Sequence, residues 1–108
     1  MARFEAVTSV GDGQAAVTLS GECDLSAREE FMAVLMGAVD TAPLVLVDLG
    51  AVTFLDSSGV HALVTAYRAA LDRGGRLNVV NASGMVAHVL AITGVGGLLS
   101  PQDGARDG

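Results

Sequence analysis

Val52-Thr53-Phe54-Leu55-Asp56-Ser57-Ser58-Gly59 is the stretch on which the reading of this chain turns. An apolar run ends abruptly in an acid, two hydroxyls and a glycine, and a helical pattern begins. Upstream, Leu44-Val45-Leu46-Val47-Asp48-Leu49, introduced by Pro43 and closed by Gly50, is a β-branched run of the kind found in strands buried on both faces. Downstream, Val60, Leu63, Val64, Tyr67 and Leu71 recur at the spacing of one helical face. Asp56, Ser57 and Ser58 are all N-cap residue types, so a helix is predicted to start among them. A serine hydroxyl then sits where unpaired backbone N–H groups and the positive end of the helix dipole converge. Such a spot suits a phosphate, bound or covalently attached.

Working outward, Phe4 to Val10 alternates loosely and meets the turn cluster Gly11-Asp12-Gly13-Gln14, and Ala15 to Ser20 follows, which predicts a hairpin of two short strands. Gly21-Glu22-Cys23-Asp24-Leu25 reads as a polar loop. Ser26-Ala27-Arg28-Glu29 has the form of a capping box, and Phe31, Val34, Leu35, Ala38 and Val39 mark the helical face after it. A second helix is expected from about Ser58 to Arg73, stopped by Gly74-Gly75. Arg76 to Val80 reads as a strand, and Met85, Val86, Val89, Leu90 and Ile92 read as a third helix closed by Gly94. Leu98-Leu99-Ser100 is expected to add a brief edge strand, and 101–108 a disordered tail. The order ββαβαβα(β) requires parallel crossovers, so the fold class is α/β: one domain over residues 1–100, a mixed sheet of four to five strands with helices packed on it.

Composition narrows the function. At 108 residues, 51% hydrophobic and 17% charged, the chain is expected to be a single compact domain rather than a disordered one. Its net charge is -6, and six scattered arginines with no lysine make nucleic acid and anionic membranes poor partners. The lone Cys23 offers no internal disulfide, and neither a signal segment nor a long apolar run is present, so a soluble, cytoplasmic protein is expected, and with no oligomerisation stripe left over a monomer is expected.

No enzyme emerges from the residues. Phosphate-binding glycine motifs of nucleotide enzymes are missing. A nucleophilic Ser57 would need a base, and of the two histidines His61 is expected to point outward beside Thr65, Arg68 and Asp72, while His88 lies on the third helix. Glu22 and Asp24, at i, i+2 without histidine, make a poor metal site. Cys23 between two acids has no reason for a lowered pKa and reads as a small buried filler. No cofactor or metal is expected.

Three separated pieces, Gly21-Glu22-Cys23-Asp24-Leu25, the run from Val47 to Gly59, and Gly74-Gly75-Arg76-Leu77, resemble the STAS-domain family, specifically the small stand-alone bacterial anti-sigma factor antagonists. The resemblance spans about Val7 to Leu99, and Thr93-Gly94-Val95 is similar to the family's closing helix terminus. It implies a partner-switching regulator in which the serine after the aspartate, Ser57, is the phosphorylation site. An anti-sigma factor serine kinase would modify it and a serine phosphatase would restore it. The unphosphorylated form would capture the anti-sigma factor and release a sigma factor. The implied docking face comprises Glu22, Cys23, Asp24, Leu25, Asp56, Ser57, Ser58, Gly59, His61, Thr65 and Arg68. Cys23 for an aliphatic residue, Val60 for leucine and His61 for a small residue depart from the family pattern. The alternative is an unphosphorylated STAS-like docking subunit of a larger lipid-transport or sensory assembly.

Overall fold

The computed structural model describes residues 3–94 and 96–99. Strands β1 (Glu5–Gly11) and β2 (Gln14–Cys23) form the hairpin, paired antiparallel without a break over seven positions. Its two-residue turn holds Asp12 and Gly13 at φ of 55° and 77°, the left-handed pair that Asp-Gly accommodates and that matches strand twist. A 3-10 turn, Leu25–Ala27, leads into α1 (Arg28–Thr41), followed by β3 (Leu44–Leu55), α2 (Ser57–Asp72), β4 (Arg76–Val80), α3 (Gly84–Ile92) and the short α4 (Gly96–Leu99). The sheet runs in the order β1-β2-β3-β4, with β3 parallel to both neighbours. This is the mixed four-stranded α/β sheet that the sequence implies.

Alternation along the strands decides what is buried. Ala15, Val17 and Leu19 lie in register with Val45, Val47 and the run beyond them, and Leu77 and Val79 continue the rows on β4. All of these side chains are buried, and α1 and α2 pack side by side over them. On α1, Phe31, Leu35, Ala38 and Val39 face inward, and Phe31 meets Phe4 with ring centroids 5.7 Å apart and planes tilted by 56°. Such a tilted aromatic pair adds about 0.5–1.5 kcal/mol beyond simple burial.

Four expectations change. β2 continues through Glu22 and Cys23, which a polar loop was expected to hold, because β3 is long enough to pair with them. The Ser26–Glu29 capping box does not form: α1 begins at Arg28 with no side-chain cap, since the Ser26 hydroxyl is held by Asp24 instead. The buried side of α2 is Gly59, Val60, Ala62, Leu63, Ala66 and Ala70, while Leu71 is exposed. Small residues let α2 lie close to α1 and the sheet, and they outweigh the larger stripe. Finally, the edge strand expected at Leu98-Leu99-Ser100 is absent: Leu98 and Leu99 end α4, where Leu99 is buried, and Ser100 lies outside the described residues, as do Val95 and the expected tail. Gly74 and Gly94 close their helices as expected, both at φ 78°.

Candidate functional site

The C-terminal ends of β2 and β3 lie side by side, Cys23 opposite Leu55. Each strand hands the chain to an aspartate of nearly identical backbone conformation, Asp24 (φ -110°, ψ -173°) and Asp56 (φ -108°, ψ -173°). Asp56 is the N-cap of α2. Its Oδ1 accepts from the Ser58 N–H at 3.0 Å, the Ser58 hydroxyl at 2.6 Å and the Gly59 N–H at 3.2 Å, so donors orphaned by the helix start are satisfied. Partial desolvation works to raise the Asp56 pKa. The Ser58 hydroxyl and the N–H groups of Gly59, Ser58 and Leu25 outweigh it, and the carboxyl sits below its usual value.

This capping divides the two serines. Ser58 is half-buried and its hydroxyl is engaged. Ser57, the first residue of the helix, is exposed, and its hydroxyl has no protein partner among the described residues. Gly59 explains how tightly the turn sits: a Cβ there would lie 2.8 Å from the Cys23 carbonyl oxygen and 2.5 Å from Leu55 Cδ1. The Asp56 N–H donates to that same carbonyl at 3.4 Å, pinning the helix start to the end of β2.

Asp24 repeats the arrangement next door. Its Oδ1 accepts from the Ser26 N–H at 3.0 Å and the Ser26 hydroxyl at 2.6 Å, and the position matching Ser57 is Leu25, an apolar side chain 69% exposed. The Leu25 N–H is the least of the groups that hold the Asp56 carboxyl below its usual value, so the two turns are neighbours in charge as well as in space. The pattern Asp-x-Ser, present twice in the sequence, was the signal for this pairing, and Ser26 is the member that sequence reasoning missed.

The structure thus brings Asp24, Leu25, Asp56, Ser57 and Ser58 together at one end of the molecule, with Glu22 half-buried beside them. Along α2, His61, Thr65 and Arg68 extend the surface from Ser57 at helical spacing, His61 and Arg68 exposed and Thr65 half-buried. Two expected docking residues lie beneath this face instead: Cys23 is fully buried and Gly59 is buried, so neither offers a side chain to a partner. Burial first, then the charges of Asp24 and Asp56, push the Cys23 thiol up to about 12, which removes its thiolate chemistry. A shallow cavity of about 300 Å³ adjoins the site, lined by Arg3, Phe4, Glu22, Asp24, Ser26, Ala27 and Glu30. No group of three potential ligands converges on a metal position among the described residues, and His61 makes no hydrogen bond to Ser57 there. No helix among the described residues is long and apolar enough to cross a membrane.

A family model described as "Mlab, STAS domain" matches residues 7–100. Among solved structures, an anti-sigma factor antagonist from Mycobacterium paratuberculosis is similar with a TM-score of 0.81 and 26% identity, over 90% of this chain and 83% of that one. The Bacillus cell fate determinant SpoIIAA in its phosphorylated form gives 0.70 and 24%, over 92% and 89%. SpoIIAA as the unphosphorylated anti-sigma factor antagonist gives 0.66 and 24%, over 83% of each chain. No curated protein matches the sequence.

Proposed function

The chain belongs to the STAS-domain family, and from that premise we propose that it is an anti-sigma factor antagonist switched by phosphorylation of Ser57. The unphosphorylated protein captures an anti-sigma factor that is also a serine kinase, and a sigma factor is released. The kinase uses ATP to transfer a phosphoryl group to the Ser57 oxygen, and a serine phosphatase removes it by hydrolysis. The observation that carries the reading is the division of labour between neighbouring hydroxyls: Ser58 is spent on the Asp56 cap, while Ser57 is exposed and its hydroxyl bonds to none of the described residues.

The electrostatics support a switch that leaves the fold in place. Phosphate on Ser57 adds about -1.5 to -2 charges at a helix N-terminus, which favours anions. The same charge lands beside Asp56 and near Asp24. A partner surface fitted to a neutral hydroxyl then meets bulk and repulsion, and like charges brought together at an interface cost several kcal/mol. A protein of this fold is known both with and without phosphate, so the fold accommodates the modification.

The second reading is an unphosphorylated docking subunit of a larger lipid-transport or sensory assembly, since the matched family model describes the STAS domain without reference to phosphorylation. Co-purification from the native cell separates the two. Under the first reading the wild-type protein recovers an ATP-binding kinase and Ser57→Asp recovers none; recovery of transport or sensory subunits by both forms would favour the second.

A further inference from the structure

We infer that the free edge of β1 is a self-association surface that pairs two copies of this chain antiparallel about Thr8. The surface is independent of Ser57. The two-residue turn makes Gly11 and Gln14 a hydrogen-bonded pair, and alternation makes Ser9–Ala16, Val7–Thr18 and Glu5–Ser20 hydrogen-bonded pairs as well. The N–H and C=O groups of Ala6, Thr8 and Val10 therefore point away from β2. In the order β1-β2-β3-β4 no strand lies on that side, and none of these groups bonds elsewhere among the described residues.

An edge of this kind is a template for another strand unless something guards it, and the usual guards are lysine, proline, a bulge or an inward charge. None is present. Register with β2 is unbroken over seven pairs, and Val7 and Val10 are 67% and 55% exposed. The occupant follows from the sequence of the strand, Glu5-Ala6-Val7-Thr8-Ser9-Val10-Gly11. A two-fold axis at Thr8 sets Thr8 opposite the second copy's Thr8 and Ala6 opposite its Val10, each pair exchanging two hydrogen bonds. Val7 then meets the second copy's Ser9. Two molecules of net charge -6 repel generally, but this strand carries one charge, Glu5, which the register leaves at the rim opposite Gly11. An isologous two-fold contact closes on itself. It also sends the two Ser57 faces to opposite ends of the pair, both open.

The contact is limited to one strand per copy, less than the roughly 800 Å² per partner of a standard stable interface, so association belongs to high concentration. This is why the sequence, with no apolar stripe left over, suggested a monomer: the complementarity is in the backbone.

Sedimentation of the full chain tests it. The weight-average mass should rise toward twofold between about 10 μM and about 1 mM, and Thr8→Pro, which removes only an outward N–H, should hold it at the monomer value. Thr8→Lys does the same without constraining the backbone. Register is read by cross-linking, with buried Cys23 silent. Thr8→Cys should form a disulfide-linked dimer by itself, whereas Val7→Cys and Ser9→Cys should do so only when mixed, because opposed residues lie about 4.5–5.5 Å apart and others exceed the reach of a disulfide. A monomer at every concentration, association that survives both Thr8 variants, or association abolished by Ile92→Lys on α3 but not by Thr8→Pro would overturn the inference.

Discussion

The Asp24-Leu25-Ser26 and Asp56-Ser57-Ser58 turns begin on aspartates of nearly the same backbone angles and carry the same pair of serine-to-aspartate hydrogen bonds, yet only the second starts a long helix and only the second exposes a serine hydroxyl that makes no hydrogen bond among the described residues. The difference lies one residue further on. After Ser58 comes Gly59, which lets α2 begin in contact with the Cys23 carbonyl. After Ser26 comes Ala27, and the chain makes one 3-10 turn before α1 starts without a side-chain cap. One local motif therefore serves two ends: a rigid platform carrying Leu25, and a rigid platform carrying Ser57. Under the proposed function the neighbouring platforms present one preformed face to a partner, and charge on the Ser57 oxygen would spoil it.

Perturbing the two turns in parallel should break that equivalence in a graded way. The largest effect is expected from Ser57→Asp, which should weaken partner capture by at least about 100-fold through like-charge repulsion. Its melting temperature should move by less than about 4 °C, the shift that 1 kcal/mol gives in a domain of this size. Titrating the purified partner and scanning heat unfolding measure both. Next comes Gly59→Ala, where a Cβ would press on backbone at 2.8 Å. Overpacking of this kind costs about 1–3 kcal/mol. The reciprocal Ala27→Gly should cost only about 0.5–1 kcal/mol, and urea unfolding compares them directly.

Smaller still are the caps themselves. Asp56→Ala should cost about 1–2 kcal/mol and Asp24→Ala about 0.5 kcal/mol, the upper and lower parts of the range for cap removal. The Asp56 carboxyl sits below its usual value, so its contribution has a pH signature. Because the folded value is depressed, the stabilisation is full above the ordinary carboxylate pKa and is lost as pH falls through the depressed one. The gap between wild type and Asp56→Ala should therefore close in acid, as read from unfolding midpoints at successive pH values. A constant gap would mean that the charge on Asp56 does not hold the turn.

Much of this was legible in the sequence because local signals agreed with the final packing. Arg76–Val80 is the strand that its apolar run suggests, Gly94 closes α3, and the acid and hydroxyls after Leu55 mark the start of α2 within a residue. Reading failed where tertiary pairing overrode a local cue. Gly21-Glu22 has turn composition, but the far end of β3 lies alongside and draws Glu22 and Cys23 into β2. Ser26 has the right residue three positions later for a capping box, but Asp24 is nearer and already oriented. Leu71 belongs to the apolar stripe of α2, yet the alanine side permits closer approach to α1 and wins the interior. The division between Ser57 and Ser58 could not be read at all, since both are cap types and only the direction of Asp56 Oδ1 separates them.

The central claim, that the Ser57 hydroxyl is the switch, is tested most directly by recovering the protein from its own cells, growing and stressed, and mapping phosphate by peptide mass analysis beside a Ser57→Ala control and with phosphatase inhibited. Phosphate on Ser57 whose occupancy changes between the two conditions, with Ser58 unmodified, is the predicted result. Phosphate on Ser58 instead, or none on Ser57 in either condition, would contradict it.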